Sequence, residues 1–171
     1  AKAGCHMLND IWGLQYKEES GKMAEVAAES GLPIVVMHNQ EGKAYERDII
    51  ETMKDFFRRT IAIADHAGVP RNNLILDPGI GFGKTPEGNL TVLRRQQELL
   101  TIDGVEYPLL LGTSRKSFIG AALGLPVDER MEATGATCVV GIMKGAGIVR
   151  IHDVKPIARM CRMTDAILQA D

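Results

Sequence analysis

The sequence predicts an α/β fold built on parallel strands, and three observations lead there. Short apolar runs recur along the chain at intervals close to one strand plus one helix. Segments of helical periodicity lie between them. The runs are continuously apolar rather than alternating, which marks strands buried on both faces. They are CHMLN at 5–9, PIVVMH at 33–38, NLILD at 73–77, PLLLG at 108–112 and GIVRIH at 147–152. Five βα units can be counted. A closed (β/α)8 barrel needs eight and about 250 residues, so the residues alone leave open a sheet or a barrel lacking three units at its front.

Taken in order, the chain opens AKAG without an initiator Met, a pattern suited to the last turn of a helix and its glycine terminator. The first run ends at Asn9 and Asp10, and the second at His38 and Asn39. After YERD, residues Ile49, Met53, Phe56 and Phe57 share one helical face. The third run closes on Asp77 before a Pro-Gly turn, within LILDPGIGFGKTPEGN. This glycine-rich stretch is not a phosphate loop. Counting back from Gly83-Lys84-Thr85 puts Pro78 where the first glycine of a Walker loop must stand, and Gly79, Gly81 and Gly83 fall one residue short of the dinucleotide spacing. Pro86 suits a first helical position and makes Thr85 the helix cap.

The fourth run leads into Ser114-Arg115-Lys116-Ser117, two cations and two hydroxyls entering a short helix, a combination suited to an anion. Met131, Thr134 and the VVGIM stretch give a further helix before Gly145 and Gly147. In the fifth run Arg150 and His152 alternate with Val149 and Ile151 and so share one side of the strand. Asp153 has the character of a cap, and Ile157, Met160, Thr164 and Ile167 share the face of the helix after it. The polar residues thus gather at the carboxyl ends of strands, where parallel α/β folds assemble their sites. An Asp77 carboxylate there would accept a planar fork of two N–H donors.

Hydrophobic residues make up 45% and charged residues 25%, an ordinary globular composition that favours one domain over 1–171. A net charge of −2 gives no general basic field and argues against nucleic acid or an anionic membrane as partner. The three cysteines form neither a metal pair nor a disulfide framework, no apolar run suits a membrane span, and no signal peptide is visible, so the cytoplasm is the expected address. His6, His38 and His66 lack metal-ligand spacing and are expected to be structural or on the surface.

Four stretches together, LNDI at 8–11, LILDPGIGFGK at 74–84, GTSRKSFIG at 112–120 and RIHDV at 150–154, resemble the dihydropteroate synthase family of pterin-binding enzymes. The resemblance runs over the whole chain and matches that family's fourth to eighth βα units. It implies a (β/α)8 TIM barrel whose last five units are present and whose amino-terminal part is absent. It also implies condensation of 6-hydroxymethyl-7,8-dihydropterin diphosphate with 4-aminobenzoate to 7,8-dihydropteroate and diphosphate, inhibition by sulfonamides, and a homodimer. The implied catalytic residues are Lys116, Asp77, Arg150 and His152. Asn9, Asp77, Lys116 and Arg150 would bind the pterin, Phe82, Arg115 and Ser117 the aminobenzoate, and Arg150 and His152 the diphosphate. Mg2+ would come with the substrate diphosphate and a loop of the absent front, with no metal ligand in this chain. Two other readings are a pterin-dependent methyltransferase acting on a corrinoid protein and a non-catalytic partial barrel. The first has no use for a diphosphate site.

Overall fold

A computed structural model describes residues 1–19 and 21–170. In chain order the elements are β1 (Leu8–Asp10), α1 (Lys22–Ser30), β2 (Ile34–Met37), α2 (Ile49–Ala67), β3 (Leu74–Asp77), α3 (Pro86–Arg95), β4 (Thr101–Ile102), β5 (Val105–Glu106), β6 (Leu110–Leu111), α4 (Ser117–Leu123), α5 (Met131–Met143), β7 (Ile148–Val149) and α6 (Val154–Leu168). Strands β1, β2 and β3 pair in parallel, with Asn9, Val35 and Ile75 in one register row. A bridge between Leu76 and Leu109, with Leu76 N–H donating to Pro108 O at 2.9 Å, carries the arc across to the parallel pair β6 and β7. The result is the five-unit parallel arc that the spacing predicts, with the strand order β1, β2, β3, β6, β7.

Period-two alternation divides the strand residues between two cores. Ile34, Val36, Leu74, Leu76, Leu109 and Leu111 join Ile50, Met53 and Phe57 in the larger cluster, between the strands and the outer helices. Val35, Ile75 and Leu110 form a second cluster with Ile148, on the inner side of the arc. One step further along each strand, on that same inner side, stand Met37, Asp77, Gly112 and Arg150.

Helix α2 shows how local chemistry sets these elements. The Asp48 carboxylate accepts from Ile50 N at 3.0 Å and Glu51 N at 3.1 Å, and Gly68 ends the helix at φ 83°. Its apolar stripe is buried through Ile50, Met53 and Phe57, while Ile49 packs only partly against the core. Helices α5 and α6 lie close because Gly135 has no side chain: a β-carbon there would overlap the Met160 sulfur. No described helix is long and apolar enough to cross a membrane.

The structure trims several expectations. The run at 5–9 forms strand only over Leu8–Asp10, that at 108–112 only over Leu110–Leu111, and that at 147–152 only over Ile148–Val149. Ladders persist only where a neighbour's backbone is in register, and Pro108 has no N–H to give. Ile167 does not join the buried face of α6, being 63% exposed, whereas Ile157 and Thr164 are buried. Asp153 stands at the N-cap position of α6 but makes no cap hydrogen bond, because its carboxylate is paired elsewhere. The hairpin of β4 and β5 was not anticipated. Its Asp103-Gly104 turn, with φ of 49° and 81°, has the left-handed pair that a two-residue hairpin requires.

Phe57 is fully buried at the centre of the larger cluster. Phe57→Ala in the full-length protein is expected to lower stability by about 3–5 kcal/mol, measured by urea denaturation.

Candidate active site

The loop from Pro78 to Thr85 crosses the rim of the arc. Gly79, Gly81 and Gly83 all have positive φ, at 64°, 85° and 54°, which only glycine adopts freely. Space matters as much as conformation. A β-carbon on Gly79 would overlap the His38 carbonyl oxygen, one on Gly81 would lie 3.0 Å from Lys116 Cδ, and one on Gly83 would lie 2.7 Å from Gln40 Cγ. Asn89 secures the middle of the loop by accepting from Gly81 N at 2.6 Å. Beyond it Thr85 caps α3, its hydroxyl accepting from Gly88 N at 3.0 Å with Pro86 at the first helical position.

Asp77 is 2% exposed, and its Oδ1 accepts from Gly79 N at 2.7 Å. Burial pushes its carboxyl above the usual range, while the Gly79 N–H and the charges of Lys116, Arg150 and Lys84 pull the other way. A buried acid facing three cations is an acceptor held ready for a ligand that brings N–H donors.

Lys116 comes from the turn before α4. There Arg115 adopts φ 54°, uncommon outside glycine. It is held by Thr134 Oγ1, which accepts from its N–H at 3.0 Å, and by Arg130, which donates to its carbonyl at 3.0 Å. The guanidinium of Arg115 turns to Asp153 in a two-bond pair at 2.9 and 2.5 Å, and Lys116 turns the opposite way, to the rim. Its ammonium donates to Ile80 O and lies 4.9 Å over the ring of Phe82. Burial lowers the Lys116 pKa to about 8; Asp77 opposes that shift and Arg150 adds to it.

On the far side of Lys116 a cavity of about 210 Å³ is lined by Gly112, Ser114, Lys116, Arg150, Ile151 and His152. Gly112 lies beside the Arg150 guanidinium, where a β-carbon would stand 3.7 Å from it, in ordinary contact. The Ser114 hydroxyl accepts from His152 N at 3.0 Å and pairs with His152 Nδ1 at 2.8 Å, which sets the imidazole. A short anion fits this cavity: it is flanked by a lysine, an arginine and an imidazole.

The structure therefore brings together Asp77, Phe82, Lys116, Arg150 and His152 of the residues singled out from sequence. Asn9 lies exposed on β1, in the register row of Val35 and Ile75, one inner-side step below Asp77. Arg115 is committed to Asp153, and Ser117 is exposed at the start of α4. Two residues were overlooked. Met37 is buried and in register with Asp77 on the inner side, a position that strand parity alone would have indicated. Lys84 is 3% exposed beneath the glycine loop. Its Nζ meets His38 Nδ1 at 3.0 Å and donates to Gly79 O and Phe82 O, each at 3.1 Å. Burial lowers the Lys84 pKa to about 7, and burial with the Lys84 charge lowers that of His38 to about 2. Among the described residues no group of three or more His, Cys, Asp and Glu is arranged to hold a metal ion.

Comparison with known proteins agrees with this geometry. The family described as pterin binding enzyme matches residues 1–152. The chain is 51% identical to the dihydropteroate synthase of Bacillus subtilis (strain 168) over 98% of its length, and 46% identical to that of Clostridium beijerinckii. It spans 56% and 60% of those relatives' own lengths. Among solved structures it is similar to a Clostridium difficile dihydropteroate synthase determined in the presence of pteroic acid, with a TM-score of 0.91 and 46% identity over 99% of this chain and 62% of that one. A Yersinia pestis dihydropteroate synthase in complex with a sulfonamide drug gives 0.90 and 36% over 99% and 61%. The arc is thus part of a (β/α)8 barrel.

Two outcomes are expected of the full-length protein. Inorganic diphosphate should bind more weakly as pH rises through about 8, because Lys116 loses its charge there, and Lys116→Met should flatten that alkaline decline in a calorimetric titration. Gly79→Ala should lower the melting temperature, since the new methyl meets the backbone of His38 rather than a flexible side chain.

Proposed function

From the premise that this chain belongs to the pterin-binding enzyme family, we propose that the whole protein is a dihydropteroate synthase. On this reading it joins 6-hydroxymethyl-7,8-dihydropterin diphosphate to 4-aminobenzoate and releases diphosphate. The observation that carries the reading is a buried carboxylate, Asp77, facing Lys84, Lys116 and Arg150 at one rim. A pterin ring offers a planar fork, its 2-amino group and the adjacent ring N–H, that one carboxylate accepts. Asn9 and Lys116 complete the pterin's polar edge, and Arg150 covers its face. The diphosphate occupies the cavity flanked by Lys116, Arg150 and His152, and 4-aminobenzoate lies along Phe82 and Ser117. Arg115 borders that second substrate through its backbone turn, with its guanidinium held by Asp153.

Chemistry follows from these positions. The electron-rich dihydropterin expels diphosphate as the carbon–oxygen bond of its methylene breaks, leaving a cationic methylene conjugated with the ring. The aryl amine nitrogen then bonds to that carbon and gives up a proton. Arg150, His152 and Lys116 stabilise the departing diphosphate, and the Asp77 carboxylate stabilises the positive ring. Burial raises the Asp77 pKa in the free protein, and the ligand's donors and developing positive charge favour its ionised form. The same reading takes the described residues as one pterin-binding domain of a cytoplasmic homodimer, with Mg2+ accompanying the substrate diphosphate. Sulfonamides, shaped like the aminobenzoate, compete at Phe82 and Ser117.

Dihydropteroate formation by the full-length protein tests the proposal. Lys116→Ala is expected to lower kcat/KM by roughly 10- to 150-fold, corresponding to about 1.5–3 kcal/mol for one charge-assisted contact. Asp77→Asn should weaken a pterin analogue in calorimetry, because the amide turns a donor toward the pterin's own donors. Unchanged kinetics for the first and equal affinity for the second would exclude this site.

A further inference from the structure

We propose that Lys84 is a positioning residue whose buried ammonium holds the glycine loop closed on the end of β2, and that His38 serves it as an acceptor. The inference rests on the function proposed above and adds to it a device for placing the second substrate. An ammonium has three N–H donors and no acceptor. Lys84 Nζ has three partners: the carbonyls of Gly79 and Phe82 at 3.1 Å each, and His38 Nδ1 at 3.0 Å. Two of these are backbone groups of the loop itself, at its first turn and at the residue whose ring lies under Lys116. The third is His38, which directly follows the last residue of the neighbouring strand. One side chain thus ties both ends of the 79–82 segment to β2, while Asn89 ties its middle at Gly81.

The arrangement explains why a lysine follows a glycine loop that has no phosphate to hold. In a phosphate-binding loop the lysine reaches a ligand in front of the loop. Here the loop is wrapped over the lysine, and its own carbonyls take the ligand's place. Such burial of a cation is costly unless its donors are satisfied, and no other side chain among the described residues offers Nζ a hydrogen bond. His38 suits the task because Nδ1 accepts only when the ring is neutral. The ring is buried edge-on against Phe56 with centroids 4.8 Å apart, and its pKa is depressed. What the clamp fixes is the position of Phe82 and of the Ile80 carbonyl, the two loop groups that Lys116 touches. Asp77 takes its hydrogen bond from the Gly79 N–H at the strand end and none from Lys84, whose own bonds go to the Gly79 and Phe82 carbonyls. Loss of the clamp should therefore disturb the aminobenzoate side more than the pterin side.

Three variants of the full-length protein test this, with wild type as the control for the reaction itself. His38→Asn leaves an oxygen acceptor near the place of Nδ1, whereas His38→Leu and Lys84→Met remove one partner outright. In Lys84→Met and His38→Leu, KM for 4-aminobenzoate is expected to rise by about tenfold or more, with KM for the pterin diphosphate within about threefold of wild type, as befits one lost charge-assisted bond. His38→Asn should stay near wild type in both. Independently of turnover, hydrogen exchange at the amides of 79–83 should be at least about tenfold faster in the two damaging variants. If both KM values move together, if His38→Asn and His38→Leu behave alike, or if exchange in the loop is unchanged, Lys84 has no positioning role. Should Lys84→Met not fold, the two His38 variants decide alone. A wild type that forms no dihydropteroate overturns the proposed function instead, and the exchange measurement still decides the clamp.

Discussion

The rim of this protein depends on how closely the loop after β3 approaches the end of β2. Gly79 stands so near the His38 carbonyl that no β-carbon fits between them, and His38 N–H in turn donates to Asp77 O at 2.9 Å. Two adjacent strands are thus locked at the residues where their pairing ends. From that contact follow the direction of Asp77, the path of the loop and the depth at which Lys84 is buried. A side chain at Gly79 would have to push the loop outward, and the acid, the phenyl ring and the Ile80 carbonyl would move with it.

Electrostatics at the rim is a balance between burial and opposite charge. Asp77, Lys84 and Lys116 are each shifted toward the neutral form by burial; the cations and the Gly79 N–H pull Asp77 back, Asp77 pulls both lysines back, and neighbouring cations push the lysines further. None is neutralised by a close ion pair, in contrast to the surface, where Asp65 with Arg71 and Asp48 with Arg95 pair directly. Exposed pairs of that kind contribute little to stability. The loop and the strand ends hold these charges apart; Lys84 is taken up by the loop and His38, and Asp77 and Lys116 face the rim.

The turn before α4 sends two adjacent cations to different tasks. With Arg115 at φ 54°, consecutive side chains diverge, so Arg115 closes on Asp153 and Lys116 reaches the rim. A left-handed conformation in a residue with a long side chain costs energy and persists only where neighbours hold it. Thr134 and Arg130 do so here. The ion pair also joins the start of α4 to the start of α6, so the walls of the anion cavity are braced against each other.

Much of this was legible in the sequence because it depends on short-range rules. Continuous apolar runs such as IVVM and LILD, recurring at the spacing of one strand plus one helix, point to strands buried on both faces, Pro86 and Thr85 mark a helix start, and extended-chain alternation puts Arg150 and His152 on one side. Four motifs in order were enough to indicate the family. Tertiary structure decided which polar groups are free. Arg115 and Lys116 are neighbours in one motif, and only the folded position of Asp153 separates a cation held in an ion pair from one that reaches the rim. Lys84 had no assigned role and His38 was expected to be structural or on the surface, because their meeting spans 46 residues and has no periodicity to announce it. The sequence by itself determined which runs become strands and which polar residues follow them. The pairing of charges in three dimensions, where burial makes every unmet donor expensive, determined what each of those residues can do.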